Sequence, residues 1–284
     1  STVKIDSKDI LNPRTPTRAL SSNITNSGEG SEVILRDGSH VTIAKNLGNS
    51  SATQGAVNPN SAAIQNIGVN AKFTMESGSA LTVHDQIQVC GTGSSFIVST
   101  GSTLNLIWNE GDNPTASPGI FIRKPNSSTE IQSASVHIHG TVLGSAMSNL
   151  VIRDSSLDGN IINIGSSAKV TANRMEITAT AKGTFDIAQG AQLTLSSGIL
   201  IQGAGSTLSF NGILNTGNIT ISAAAVGSTV TIGSHSQIGG FIDHNAASSK
   251  MTIHGGVYTN TIRNNGAGAS LHITGGSYSG ALSN

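Results

Sequence analysis

Short apolar–polar–apolar triplets recur along most of the chain. They begin with VTI (Val41–Ile43), FTM (Phe73–Met75), LTV (Leu81–Val83), LNL (Leu104–Leu106) and VHI (Val136–Ile138). FDI (Phe185–Ile187), LTL (Leu193–Leu195), LSF (Leu208–Phe210), ITI (Ile219–Ile221) and VTI (Val230–Ile232) continue the series, and MTI (Met251–Ile253) and LHI (Leu271–Ile273) end it. A period of two predicts short strands with one face buried. Gly-Ser or another small pair often precedes the triplet, as expected where a strand follows a tight corner. No stretch carries a helical period, and segments such as SAAIQNIGVNA hold too much Gly and Asn for a long helix.

The pattern repeats at a longer interval as well. When MTIHGGVYTNTI (Met251–Ile262) is laid over LHITGGSYSGAL (Leu271–Leu282), apolar positions fall on apolar positions and glycine pairs on glycine pairs. The chain's two tyrosines, Tyr258 and Tyr278, also coincide. Self-similarity at about twenty residues, with neither a leucine-rich consensus nor long amphipathic helices, predicts a solenoid of short strands. The expected architecture is all-β: a right-handed parallel β-helix of about twelve coils of roughly 20 residues each. Tyr258 and Tyr278 should then stack at one station on consecutive coils. Residues 1–35 break the triplet pattern and are expected to form an N-terminal arm or cap, with the β-helix over 36–284. The last coil stops short at Asn284, so the sequence reads as truncated at its C-terminal end.

Composition narrows the functional classes. Hydrophobic residues make up 36 %, aromatics 3 % and charged residues 11 % of 284 residues, and the formal net charge is zero. The core must therefore be lined by Val, Ile and Leu. A neutral chain without a basic stripe is not expected to bind nucleic acid. The single cysteine, Cys90, rules out an intramolecular disulfide. That suits a cytosolic protein, or a surface protein that must cross a pore unfolded. No run of about twenty apolar residues is present to span a membrane. With no signal peptide and no initial Met, the sequence reads as processed or cut from something longer.

The candidate chemistry is sparse. The middle residue of each triplet is expected to face outward, giving one polar, nearly uncharged ladder from Thr42 and Thr74 through His137, Asp186 and Thr231 to His272. His137 and His139 lie two apart on a strand and point the same way, but no third ligand is evident, so neither a metal nor another cofactor is predicted. Polysaccharide lyases and glycosidases need carboxylates converging on a groove. Asp154, Asp158 and Asp186 are the available candidates, and no catalytic motif joins them, so no catalytic residue is assigned. The segment IWNEGDNPTASPGIFIRKP (Ile107–Pro125) holds the only tryptophan and three of the six prolines. It reads as a loop leaving the rod, and its Trp108, Asn109, Glu110, Asp112, Arg123 and Lys124 form the candidate ligand-binding set. A second excursion, Asn46–Gly68, is polar.

The Gly-Ser-X-apolar-Thr-apolar coils, the Ser/Thr/Asn surface and the scarcity of cysteine resemble the passenger region of Gram-negative autotransporter adhesins over roughly residues 30 to 284. The resemblance implies a rod displayed at the cell surface, outside the outer membrane, and exported by a C-terminal β-barrel that this sequence lacks. It implies adhesion, cell–cell aggregation or biofilm formation, either by self-association between passengers or by binding host matrix protein or glycan. Two other readings stand beside it: a carbohydrate-active β-helix such as a lyase, glycoside hydrolase or phage tailspike, and a purely structural stalk.

Overall fold

The computed structural model describes residues 2–5, 24–43, 62–107, 118–123, 131–145, 147–215 and 217–284, with backbone alone for 2–5. The described residues contain strands and turns and no helix. Every strand pairing among them is parallel, from Ile24↔Ile64 near one end to Ile262↔Leu282 at the other. The chain is therefore a parallel β-helix, and each coil contributes strands to three faces.

The first face is an eleven-stranded sheet. It runs from Thr2–Ile5 and Glu32–Leu35 through Lys72–Met75, Ser95–Val98 and Ser135–Ile138 to Lys250–Ile253 and Ser270–Ile273. The second face carries His40–Ile43, Ala80–Val83, Thr103–Leu106 and Thr141–Gly144. The third carries Ile64–Asn66, Gln86–Val89, Gly119–Arg123 and Asn149–Arg153. Lys169–Ile177 and Gln192–Ile201 run unbroken from the second face into the third, which joins those two into one nineteen-stranded sheet. Eleven strands at the usual interstrand spacing give a rod roughly 50 Å long.

Alternation along each strand fills the interior. Leu104 and Leu106, Ile120 and Ile122, and Ile162 and Ile164 are fully buried, and like residues stack on like from coil to coil. Phe73 and Phe96 are rung partners on the first face, with ring centroids 5.1 Å apart. Tyr258 and Tyr278 stack as the repeat predicts, with centroids 4.9 Å apart and planes 7° from parallel.

The small residues before the strands have a sharper role than tight turning alone. Gly78 takes a left-handed φ of 77° in the corner before Ala80–Val83. The next residue, Ser79, is buried, and its hydroxyl donates to the Glu76 carbonyl at 2.6 Å. Ser102 to Ser99 and Ser148 to Ser145 repeat that bond at 2.7 Å. Each buried hydroxyl is thus satisfied within its own corner.

Several expectations need correction. The segments 107–125 and 46–68 are not single excursions. Gly119–Arg123 is a strand of the third face with Ile120 and Ile122 in the core, and Ile64–Asn66 is another such strand. Alternating G-I-F-I-R obeys the same period-two rule as the triplets, but the surrounding prolines and charges obscure it. Residues 24–35, assigned above to an arm or cap, pair strand for strand with the coil that follows, as Ile24↔Ile64 and Glu32↔Lys72. The outward ladder is three ladders. Thr74, His137 and Asp186 lie on the first face, Thr42, Thr82 and Asn105 on the second, and Thr220 on the third.

Coil length also varies along the rod. Rung partners Ile242, Ile262 and Leu282 are separated by 20 residues at each step (262 − 242 and 282 − 262). Ile87 and Ile120 are 33 apart (120 − 87), and Ile120 and Leu150 are 30 apart (150 − 120).

Candidate ligand-binding face

Charge is concentrated on the third face where the coils are longest. Outward-facing side chains on most of this solenoid are half-buried or exposed. On Gln86–Val89, Gly119–Arg123 and Asn149–Arg153 they are not: Gln88, Phe121 and Val151 are 2 %, 5 % and 4 % exposed, although none points into the core. Gln88 donates from its amide to Gln86 at 3.1 Å.

Arg123 and Arg153 are rung partners at the end of these strands. Two guanidinium groups on neighbouring rungs repel unless an anion lies between them, and Asp154 supplies one. Asp154 turns back out of its strand with a left-handed φ of 56°. Its carboxylate accepts from Arg153 Nε at 3.0 Å and from the Thr180 hydroxyl at 3.3 Å. Arg123 Nη2 lies 3.8 Å from the same carboxylate, beyond hydrogen-bond distance. Arg123 is 8 % exposed, and its Nε and Nη1 are buried with no hydrogen-bond partner among the described residues. Burial and the neighbouring Arg153 lower its pKa, and Asp154 opposes that shift.

One step beyond the Val89↔Ile122 pair, Cys90 lies beside this arginine. Burial pushes its thiol up to about 12 against the opposing pull of Arg123, so it is a neutral packing group and a poor nucleophile.

Smaller pairs border the cluster. Arg174 bonds Glu176 at 3.4 Å, and Lys182 meets Asp158 at 2.6 Å. A ladder of amides and hydroxyls lies alongside: Asn173 donates to Asn149 at 2.9 Å, and Ser196 and Ser197 donate to Asn173 at 3.1 and 2.8 Å. The strand bends at Asn173, where the register shifts between Ala172 and Arg174.

Of the candidate set read from sequence, Arg123 lies in this cluster. Trp108, Asn109, Glu110, Asp112 and Lys124 lie outside the described residues. Sequence reasoning missed Arg153 and Asp154 as partners of Arg123. They are some thirty residues away along the chain and meet it only because one long coil separates them. The remaining acid candidate, Asp186, sits on the first face and accepts from Asn163 at 3.0 Å.

His137 and His139 point the same way, with ring planes 3° apart and centroids 6.4 Å apart. Burial and the neighbouring His139 hold His137 below the usual histidine range. No group of three His, Cys, Asp or Glu side chains able to hold a metal occurs among the described residues.

The chain matches no family model, no curated protein and no solved structure.

Proposed function

We propose that this protein is a surface adhesin of Gram-negative bacteria, a rigid rod that binds a partner through side chains on its lateral faces. One observation carries the reading. A uniform parallel β-helix concentrates its charged and partly unsatisfied groups into one strip, centred on Arg123, Arg153 and Asp154, next to exposed amides and hydroxyls. The acids a glycosidase or lyase would need are each held elsewhere: Asp154 by Arg153, Asp158 by Lys182, and Asp186 by Asn163. That pattern favours recognition over catalysis. Many weak contacts, multiplied by copy number on a cell, would give avidity that no single rod has. Binding to a host glycan or matrix protein and self-association between rods both fit this mechanism.

The test is a settling and matrix-binding assay of cells displaying the chain. The comparison strain lacks residues 108–117, a deletion that spares the core strand Gly119–Arg123. Aggregation or binding that requires the displayed chain, and weakens in the deletion, supports the reading. Display without any aggregation or binding contradicts it.

A further inference from the structure

We infer that Arg123 and Arg153 form a subsite for the anionic group, carboxylate or sulfate, of an acidic glycan lying along the rod. This inference rests on the reading of the strip as the ligand face, and it specifies the ligand's chemistry.

The strip holds a cation in excess. Asp154 is engaged by Arg153 Nε and Thr180, and it reaches Arg123 only at 3.8 Å. The other acids nearby serve other cations, Glu176 serving Arg174 and Asp158 serving Lys182. Arg123 therefore keeps a positive charge nine-tenths buried, with Nε and Nη1 lacking an acceptor among the described residues. Buried donors on a charged group are costly when unpaired. An oxyanion supplies the acceptors, and the planar guanidinium fork suits carboxylate and sulfate better than a point charge would. Access runs through Arg153 and Asp154, whose side chains are 34 % and 30 % exposed. The incoming anion meets Arg153 first and reaches Arg123 behind it.

The surroundings favour a sugar chain over an acidic peptide. Asn173, Ser196 and Ser197 present amides and hydroxyls on successive rungs beside the cluster. Rungs repeat at about 4.8 Å along the axis, close to the length of one pyranose unit, so successive sugars meet successive rungs. An extended peptide gains most of its affinity by adding to an open strand edge. The lateral face has none, because each strand here is already paired on both sides, as Gly119–Arg123 is with Gln86–Val89 and Asn149–Arg153.

The test is calorimetric titration of the full chain with four probes of matched length: a polyuronate, a sulfated oligosaccharide, a neutral oligosaccharide and poly-glutamate. The variants are Arg123→Gln, Arg153→Gln and, as a charge control on the opposite side, Lys250→Gln. We expect one or both acidic glycans to bind and the neutral one not to. Arg123→Gln and Arg153→Gln should each weaken binding at least tenfold, and Lys250→Gln should change it less than twofold. If Arg123→Gln does not fold, the partly exposed Arg153→Gln carries the test. Equal loss in Lys250→Gln, equal binding of the neutral chain, or tighter binding of poly-glutamate overturns the inference. It also falls if no probe binds while Glu110→Gln or Asp112→Asn costs as much stability as Arg123→Gln, since a carboxylate of the chain itself then serves Arg123. Cells that aggregate while the chain binds no acidic glycan overturn the subsite and leave the adhesin reading intact. Cells that neither aggregate nor bind overturn both.

Discussion

The coils from Ile242 to the C-terminus and those from Gln86 to Ile177 share one fold and differ in nearly everything else. The late coils step by 20 residues and repeat their corners, and they stack one tyrosine on the next. The middle coils step by up to 33 residues, bend at Asn173, and bring two arginines to neighbouring rungs. The repeat that first draws the eye in the sequence is thus a scaffold. Tyr258 is 1 % exposed, and its hydroxyl donates to the Gly255 carbonyl, so both ring and polar tip are used inside the coil. The unusual groups gather where the repeat breaks down, because only a longer coil gives neighbouring rungs different side chains to present.

If the middle coils are wound as firmly as the late ones, the largest losses come from their core. Phe96→Ala removes a fully buried ring stacked on Phe73 and should cost about 3–5 kcal/mol in urea unfolding. A loss under about 1 kcal/mol would show that the charged coils are loosely packed.

The late coils offer a finer contrast within a single repeated motif. Gly256 has φ 111°, and an added Cβ would lie 2.5 Å from the Ser236 carbonyl oxygen. Gly256→Ala should cost about 1–3 kcal/mol. Gly275 meets only the His254 carbonyl, at 3.4 Å, so Gly275→Ala should stay within about 0.5 kcal/mol. Thermal melts of the pair separate a glycine required by its conformation from one that merely repeats.

Next in size is Tyr258→Phe, which deletes the bond to Gly255 and should cost about 0.5–1.5 kcal/mol. It also tests a pH dependence. Burial raises the Tyr258 hydroxyl pKa, the neighbouring Tyr278 adds to the shift, and burial raises Tyr278 as well. The unfolded chain then releases those protons first. The stabilisation is fully present below a pH of about 10 and is lost as pH rises beyond it. Unfolding midpoints measured between pH 8 and 11 should fall less steeply for Tyr258→Phe than for the parent chain.

The smallest effect belongs to the surface. Arg263 pairs with Asp243 at 2.9 Å and lies over the Phe241 ring at 4.9 Å, yet it remains partly exposed. Arg263→Ala should cost less than about 1 kcal/mol, read from the same melts. That result would sharpen the contrast between this satisfied, solvated pair and the buried Arg123.

These contrasts show which features the sequence makes legible. Strand periodicity is local, so triplets such as LNL at Leu104 or MTI at Met251 reveal the β-helix directly. The stacking of Tyr258 on Tyr278 is legible because equal coil lengths turn a sequence offset into a spatial neighbour. Unequal lengths remove that reading. Nothing in the chain between Arg123 and Arg153 announces that they share a rung, and Asp154 gains its role only from the left-handed turn that folds it back. Interior polar residues are obscured for a related reason. Asn66 sits in the core row of the third face, where its amide donates to the Ala71 and Ser95 carbonyls at 3.0 and 2.8 Å. Those acceptors exist only once the coils are stacked.

The most direct test of the account measures the rise of the rod itself. Spin labels at His137→Cys and His272→Cys lie six strand spacings apart on the first face, and labels at Asp186→Cys and His272→Cys lie four apart. Cys90 is buried, with its thiol pushed up to about 12, and should remain unlabelled. Pulsed electron-resonance distances should centre near about 29 Å and about 19 Å, in proportion to the number of rungs. Distances that do not scale with rung number would contradict a parallel winding, and the division between scaffold coils and binding coils would fall with it.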